Sequence, residues 1–155
     1  MNNDHEYKVS LEWTGNRGTG TSGYRDYGRD HTVRAAGKPE IGGSSDRVFH
    51  GDADRWNPEE MLLGALTQCH LLSYLHVAAG HGVVVTNYTD DAFGTLRTTE
   101  DGGGHFTSVT LRPVVTISSG DADLALSLHH EASLKCFIAN SMNFPINHDP
   151  RIVRA

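Results

Sequence analysis

Apolar and polar positions alternate with period 2 over residues 7–13, where Tyr7, Val9, Leu11 and Trp13 share one face. That spacing predicts a half-buried strand. A turn at 14–18 follows, then a weaker strand around 19–24 and a third at 31–35. Glycines punctuate this first third, which therefore reads as an antiparallel meander with Gly-rich turns. Residues 38–55 are polar and turn-like and predict a long loop, of the kind that is often functional or packs on a partner.

Asn57, Pro58, Glu59 and Glu60 mark the clearest boundary in the chain. Asn57 suits an N-cap, Pro58 the first helical position, and Glu60 stands at the capping-box spacing. A helix is predicted over 58–79, stopped at Gly80. Nearly every position from Met61 to Ala79 is apolar or small. Such a helix is buried nearly all round, which predicts a central rod covered on several sides and in part by a second subunit. Strands are predicted at 82–90, 93–99 and 106–118, with a Gly-rich hairpin loop at 100–104. A second helix is expected over 121–140. It carries Leu124, Leu128, Ala132 and Cys136 on one stripe and acidic Asp121 and Asp123 in its first turn. A short strand at 143–146 or 151–153 closes the chain. The order βββ-α-ββ(β)-α-β predicts one α+β domain over 1–155 with mainly antiparallel sheet.

Composition narrows the function. The chain has 155 residues, 37% hydrophobic and 21% charged, a globular profile. A net charge of −6 argues against a broad nucleic-acid footprint. No apolar run is read as approaching the roughly 18 to 20 residues of a membrane span. The start Met1-Asn2-Asn3-Asp4-His5-Glu6 lacks the basic and apolar regions of a secretory signal, so a cytoplasmic location is expected. In a reducing compartment two cysteines do not make a disulfide scaffold. A redox pair, a metal site or two inert buried thiols remain.

Cys69 lies on the apolar seam of the first helix, between Ala65 and Leu66 on one side and Leu72 and Ser73 on the other. Its plainest reading is a small buried hydrophobe. Cys136 has the same position on the second helix, and two thiols facing inward from the only two helices can meet. A thiol on an apolar seam is unreactive unless a cation stabilises its thiolate, because desolvation alone raises its pKa. Arginine is the natural cation, and Arg17, Arg25, Arg29, Arg34 and Arg47 are available in the first third. Glu59 can orient such an arginine, or simply favour the helix N-terminus. It precedes Cys69 by roughly 15 Å of helix axis, so the two do not touch within one straight helix. Either a long arginine spans part of that gap or Glu59 belongs to a second copy. The histidines do not complete a Cys/His zinc spacing: His70 and His76 do not share a face, and His129 and His130 precede Cys136 without a ligating interval. His5, His31, His50, His81, His105 and His148 fall in loops or at strand ends and read as mostly solvated. The glycines from Gly18 to Gly23 match G-x-G-x-x-G, but no helix follows, which excludes a dinucleotide loop.

The run Asn57-Pro58-Glu59-Glu60, Cys69 ten residues after Glu59, and Cys136 in Lys135-Cys136-Phe137-Ile138 together resemble the OsmC/Ohr family of osmotically inducible and organic-hydroperoxide-resistance proteins. Tyr74, His76 and the run from Cys136 to Pro145 resemble a less characterised branch of that family, and His70 after Cys69 and Phe137-Ile138 after Cys136 depart from its best-known members. The resemblance implies an OsmC-like fold, an intertwined homodimer with antiparallel sheets wrapped around two long central helices, and thiol-dependent reduction of alkyl or lipid hydroperoxides. It implies Cys69 as the peroxidatic thiol, Cys136 as the resolving thiol, and Glu59 as the carboxylate that holds an activating arginine, either Arg17 or, alternatively, Arg47. No cofactor, metal or membrane is implied. The partners are a second copy, the hydroperoxide and an external dithiol reductant such as a lipoylated protein. An apolar pocket of Leu62, Leu66, Leu72 and Phe137 beside Cys69 is expected to select organic peroxides. The competing expectation is a non-catalytic binding protein of the same fold that holds an apolar ligand at the interface. A thioester hydrolase lacks a convincing base near the helix.

Overall fold

A computed structural model describes residues 3–155; Met1 and Asn2, which begin the N-terminal hexapeptide read above, lie outside the described residues. The chain forms two compact units, Met1–Met61 and Leu62–Ala155.

The first unit holds β1 (Ser10–Trp13), β2 (His31–Arg34) and β3 (Ile41–Gly43) in an antiparallel sheet of that order. The expected meander is present, with two corrections. Residues 19–24 form turns rather than a strand, because Asn16 Oδ1 accepts from the backbone N–H of both Gly18 and Gly20 and coils the segment. Residues 38–55 are not one loop: β3 pairs with β2, and a 3-10 turn at Arg47–Phe49 is capped by the Asp46 side chain on Val48 N–H. The alternating face at the start of the chain is exposed in this single chain, at 90% for Tyr7, 75% for Val9 and 66% for Leu11.

Helix α1 (Pro58–Gly80) begins where the capping residues predict. Asn57 Oδ1 accepts from Glu60 N–H at 2.8 Å. The helix ends at Gly80, as expected; Gly82, at φ 72°, then turns the chain, and Val83 N–H donates to Ala78 C=O at 2.9 Å. Length and composition make α1 long and apolar enough to cross a membrane, a test that core helices of water-soluble folds also pass. The expected burial is met along one stripe only within this single chain, Leu66, His70, Tyr74, Val77 and Ala78, while Leu72 is 66% exposed.

The second unit contains β4 (Val84–Asp90), β5 (Phe93–Thr98), β6 (Gly104–Leu111), β7 (Pro113–Ser119), α2 (Ala122–Lys135), β8 (Ile146–His148) and β9 (Arg151–Arg154). The strand expected over 106–118 is two strands: at Arg112 the backbone N–H leaves the ladder to donate to Asp90 Oδ1 at 2.7 Å, and Pro113 begins β7. Two sheets result, in the orders β4-β7-β9 and β5-β6-β8. β4–β7 and β5–β6 are antiparallel, but β8 joins β6 and β9 joins β7 in parallel, because the chain first crosses through α2. Of the two positions expected for the closing strand, 151–153 is occupied by β9, whereas the strand expected over 143–146 lies later, at Ile146–His148.

Two clusters form the core of this unit. Tyr74, Val77 and Ala78 of α1 pack with Val115 and Ile117 of β7 and with Ala125, Leu128 and Ala132 of α2. Leu66 packs with Val109 and Leu111 of β6. On α2, the inward residues are Ala125, Leu128, His129 and Ala132; Leu124, expected on that stripe, is 37% exposed. Leu66→Ala removes a fully buried side chain between α1 and β6 and is expected to cost about 3 kcal/mol in urea denaturation, within the range of buried leucine truncations.

Candidate functional site

The residues singled out from the sequence fall into two groups, one in each unit. In the first unit, Arg17 and Arg47 line the same open cleft of about 460 Å³, together with Arg29, His50, Asp52 and Asp54. The Arg17 loop is anchored by a close backbone crossing. Gly28 N–H donates to Gly15 C=O at 2.7 Å and Trp13 Nε1–H to Gly28 C=O at 2.8 Å. Gly15 is required there, since a Cβ would meet Gly28 O at 2.0 Å. Arg17 Nη1–H donates to Arg25 C=O at 3.3 Å, and Arg29 is tied to the carbonyls of Tyr27 and Tyr24, both at 2.7 Å. Glu59 stands in the first turn of α1. One of its carboxylate oxygens is buried and has no hydrogen-bond partner among the described residues.

In the second unit, the structure brings Cys69 and Cys136 together. Both are free thiols, Cys69 half-buried and Cys136 buried. Burial pushes the Cys136 thiol up to about 11, and the neighbouring Cys69 pushes the same way. The N–H groups of Ala139 and Ile138 oppose this less strongly. Cys136 does not lie within a helix as expected: α2 stops at Lys135, and Cys136 is its C-cap with extended backbone, φ −76° and ψ 104°. Helical geometry gives way because Asn140 Nδ2–H bonds the Leu134 carbonyl at 3.1 Å, while Asn140 N–H takes the Cys136 carbonyl at 3.0 Å. A 3-10 turn at Ala139–Ser141 follows. Of the expected apolar pocket, Leu66 is buried and Leu62 partly buried in the core, whereas Leu72 is 66% and Phe137 79% exposed.

Beside the thiols lies a cluster that sequence reasoning passed over. His70 and His129 are buried, at 0% and 2% exposure, and His70 Nε2 meets His129 Nδ1 at 3.0 Å. The His148 ring lies 4.5 Å from that of His70, so His148 is half-buried rather than solvated. Tyr74 stacks on His129 at 4.0 Å and donates its hydroxyl to Ala125 C=O at 2.8 Å. The signal was available: His70 sits midway between Leu66 and Tyr74 at i±4, and His129 adjoins Leu128 at i+4 from Ala125. Burial lowers His70 to about 4, with His148 adding repulsion, and lowers His129 to about 3, with His70 and His148 adding to it. Burial also lowers His148, which Asp90 partly restores. Among the described residues no group of three His, Cys, Asp or Glu side chains has the geometry to hold a metal ion.

These features sit in a recognisable family frame. Residues 51–151 match the family model described as OsmC-like protein, and the chain belongs to that family. It is similar to an OsmC-like protein of unknown function from Vibrio cholerae, with 30% identity, TM-score 0.81, and coverage of 95% of this chain and 99% of that one. It shares its fold with an organic hydroperoxide resistance protein from Elizabethkingia anophelis, at 16% identity, TM-score 0.72 and complete coverage of both chains. The fold is also that of a putative organic hydroperoxide resistance protein from Vibrio cholerae with captopril in one active site, at 20% identity, TM-score 0.69, and coverage of 98% and 95%. No curated protein matches the chain. The mixed α+β fold with two helices and several sheets is therefore the OsmC-like fold expected from the sequence.

The histidine cluster sets an acid limit on stability. Both rings have folded pKa values below the unfolded value of about 6.5, so the unfolded chain binds protons first as pH falls. Their contribution is fully present above about pH 6.5. It is lost progressively as pH drops through the window down to about 4 for His70 and about 3 for His129. Urea denaturation is expected to show stability falling by about 1 kcal/mol per pH unit per histidine below pH 6. Replacing both histidines with uncharged residues should flatten that slope.

Proposed function

We propose that this protein is a thiol-dependent peroxidase that reduces alkyl or lipid hydroperoxides, with Cys69 and Cys136 as its redox pair. The observation that carries this reading is that two free thiols stand as neighbours, Cys136 buried and Cys69 half-buried beside it. Membership of a family whose fold is shared by organic hydroperoxide resistance proteins supports it.

The chemistry closes with the groups named. The Cys69 thiolate attacks the distal oxygen of ROOH; the O–O bond breaks and the leaving alkoxide takes a proton to become ROH. Cys69 is oxidised to the sulfenic acid. The Cys136 sulfur then attacks the Cys69 sulfur, an S–S bond forms, and the hydroxyl departs with the Cys136 proton as water. An external dithiol reduces the disulfide and is itself oxidised. No cofactor takes part. Cys136 stays protonated until the sulfenic acid forms, as its upward shift to about 11 favours.

We assign activation of Cys69 to Arg17, with Arg47 as the alternative, and orientation of that arginine to Glu59. The unpartnered buried oxygen of Glu59 is the kind of acceptor a guanidinium satisfies. Assembly as a cytoplasmic homodimer around two central helices is part of the same reading. Exposed apolar side chains on α1, near the end of α2 and just beyond it, Leu72, Leu134 and Phe137, favour it.

Stopped-flow mixing of the reduced protein with one equivalent of cumene hydroperoxide, followed by thiol counting, tests the reading. Two thiols before and none after are expected. Cys69→Ser should consume no peroxide, and Cys136→Ser should stop at a dimedone-reactive sulfenic acid. Survival of both thiols together with a co-purified apolar ligand would establish the binding-protein reading instead. Arg17→Ala is expected to slow the first step by about 100-fold, since loss of a charge-assisted contact of about 2–3 kcal/mol corresponds to that factor; a larger effect for Arg47→Ala would reverse the assignment. Sedimentation should give a dimer, and Leu72→Asp a monomer.

A further inference from the structure

The second unit holds an arrangement that thiol chemistry alone does not require. His70 directly follows Cys69 on α1, and His129 lies two turns before Cys136 on α2. Their facing nitrogens, 3.0 Å apart, share one hydrogen. In either tautomer, one ring donates and the other accepts. The far nitrogens, His70 Nδ1 and His129 Nε2, are buried and have no hydrogen-bond partner among the described residues. The only other α1–α2 side-chain hydrogen bond among the described residues runs from Tyr74 O–H to Ala125 C=O, one helical turn further along each helix from the cysteines. His70–His129 is therefore the link between the helices nearest to both thiols.

We propose that the His70–His129 pair, backed by His148, is a proton-gated clamp that holds α1 and α2 at the separation the Cys69–Cys136 disulfide needs. His70 and His129 act as positioning residues, and the inference rests on the redox-pair reading above. The electrostatics of the site set its sign. From α1 the pair faces Tyr74, and from β8, His148; behind these, Tyr88 of β4 packs on Tyr74, and Asp90 of β4 and exposed His130 of α2 lie near His148. The one carboxylate of that set, Asp90, already accepts from the Thr67 hydroxyl and Arg112 N–H. A proton on one ring meets two neighbouring imidazoles and no free anion. A proton on both rings puts N–H on both facing nitrogens and turns the bond into a repulsion. Acid therefore favours separation of the helices, and separation carries the thiols apart. Linkage makes the effect reciprocal: the disulfide, by holding the helices together, must hold protons off the histidines.

The experiment equilibrates the full chain with oxidised and reduced dithiothreitol between pH 7 and pH 3.5, with catalytic selenocystamine, and measures disulfide content by mass. The reference is His70→Gln/His129→Asn, in which amides occupy the places of the facing nitrogens without titrating. Protonation of Cys69 and Cys136 is common to both proteins, so the ratio of the wild-type to the variant equilibrium constant reports the clamp. With folded values of about 4 for His70 and about 3 for His129, that ratio is expected to stay level from pH 7 to pH 5 and to fall about fivefold by pH 3.5. A ratio that does not change down to pH 3.5 overturns the proposal.

A second measurement needs no variant. Carbon-13-labelled imidazole resonances should show His70 and His129 protonating at lower pH in the oxidised than in the reduced protein, and identical titrations in the two states overturn the proposal. If oxidised dithiothreitol forms the disulfide with this pH dependence while hydroperoxide leaves both thiols intact, the peroxidase reading fails and the clamp stands. If oxidised dithiothreitol forms no disulfide at pH 7, the clamp fails.

Discussion

Tyr74 stacked on His129 at 4.0 Å, with its hydroxyl on the Ala125 carbonyl, sets how α1 meets α2, and every feature of the thiol site follows from that contact. The stacked rings fix the spacing, and the hydroxyl fixes the register, because only one carbonyl of α2 lies within its reach. One turn away, the His70–His129 bond repeats the constraint. Cys69 and Cys136 then have little freedom in where they lie. Buried imidazoles are a costly way to join helices: each loses hydration, and the far nitrogens regain no hydrogen bond. Leucine at both positions would pack without that cost. Polar contacts of this kind specify an arrangement more than they stabilise it.

The chemistry of the pair depends on how unequally the two thiols are placed. Cys136 is buried and pushed up to about 11, whereas Cys69 is half-buried and open to a reactant. Under the proposed mechanism this asymmetry orders the steps. A buried protonated thiol is a poor competitor for peroxide and becomes useful only when a sulfenic acid stands against it. The end of α2 contributes as well. Had the helix run through Cys136, its side chain would have been fixed to the helix face. As a C-cap in extended backbone, followed by a single 3-10 turn, it leaves the helix face.

How far all this could be read from the residues varied with the range of the interaction. Local chemistry was legible: Asn57, Pro58 and Glu60 marked the start of α1, and Gly-rich punctuation separated β1 from β2. Motif spacing pointed to the family and to both cysteines. What escaped depended on distant partners. Nothing near Ile41 announces that β2 supplies an edge for it, and nothing near Ile146 or Arg151 shows that β6 and β7 stand ready in parallel. The histidines escaped for a different reason. They were weighed as metal ligands or solvated side chains, when their i±4 spacing to core residues already put them on the buried stripes. His148 could not have been found this way, because its burial comes from α1 and α2, far off in sequence.

The exposed alternation of β1 remains the sharpest disagreement between pattern and single chain. Tyr7, Val9, Leu11 and Trp13 share one face, yet all four are exposed, and so are Leu72 and Phe137. A water-soluble chain does not keep such regular apolar spacing on a face that stays wet, because alternation is maintained by burial. The same holds for Glu59, whose buried oxygen lacks a hydrogen bond in a family model match that begins only eight residues earlier. On the proposed reading a second copy would satisfy both the uncovered apolar face and the buried acceptor that has no donor among the described residues. On the proposed reading, therefore, the hydrophobic code of this chain is written for an assembly, and the helix that looks half-finished alone is the surface about which two copies close.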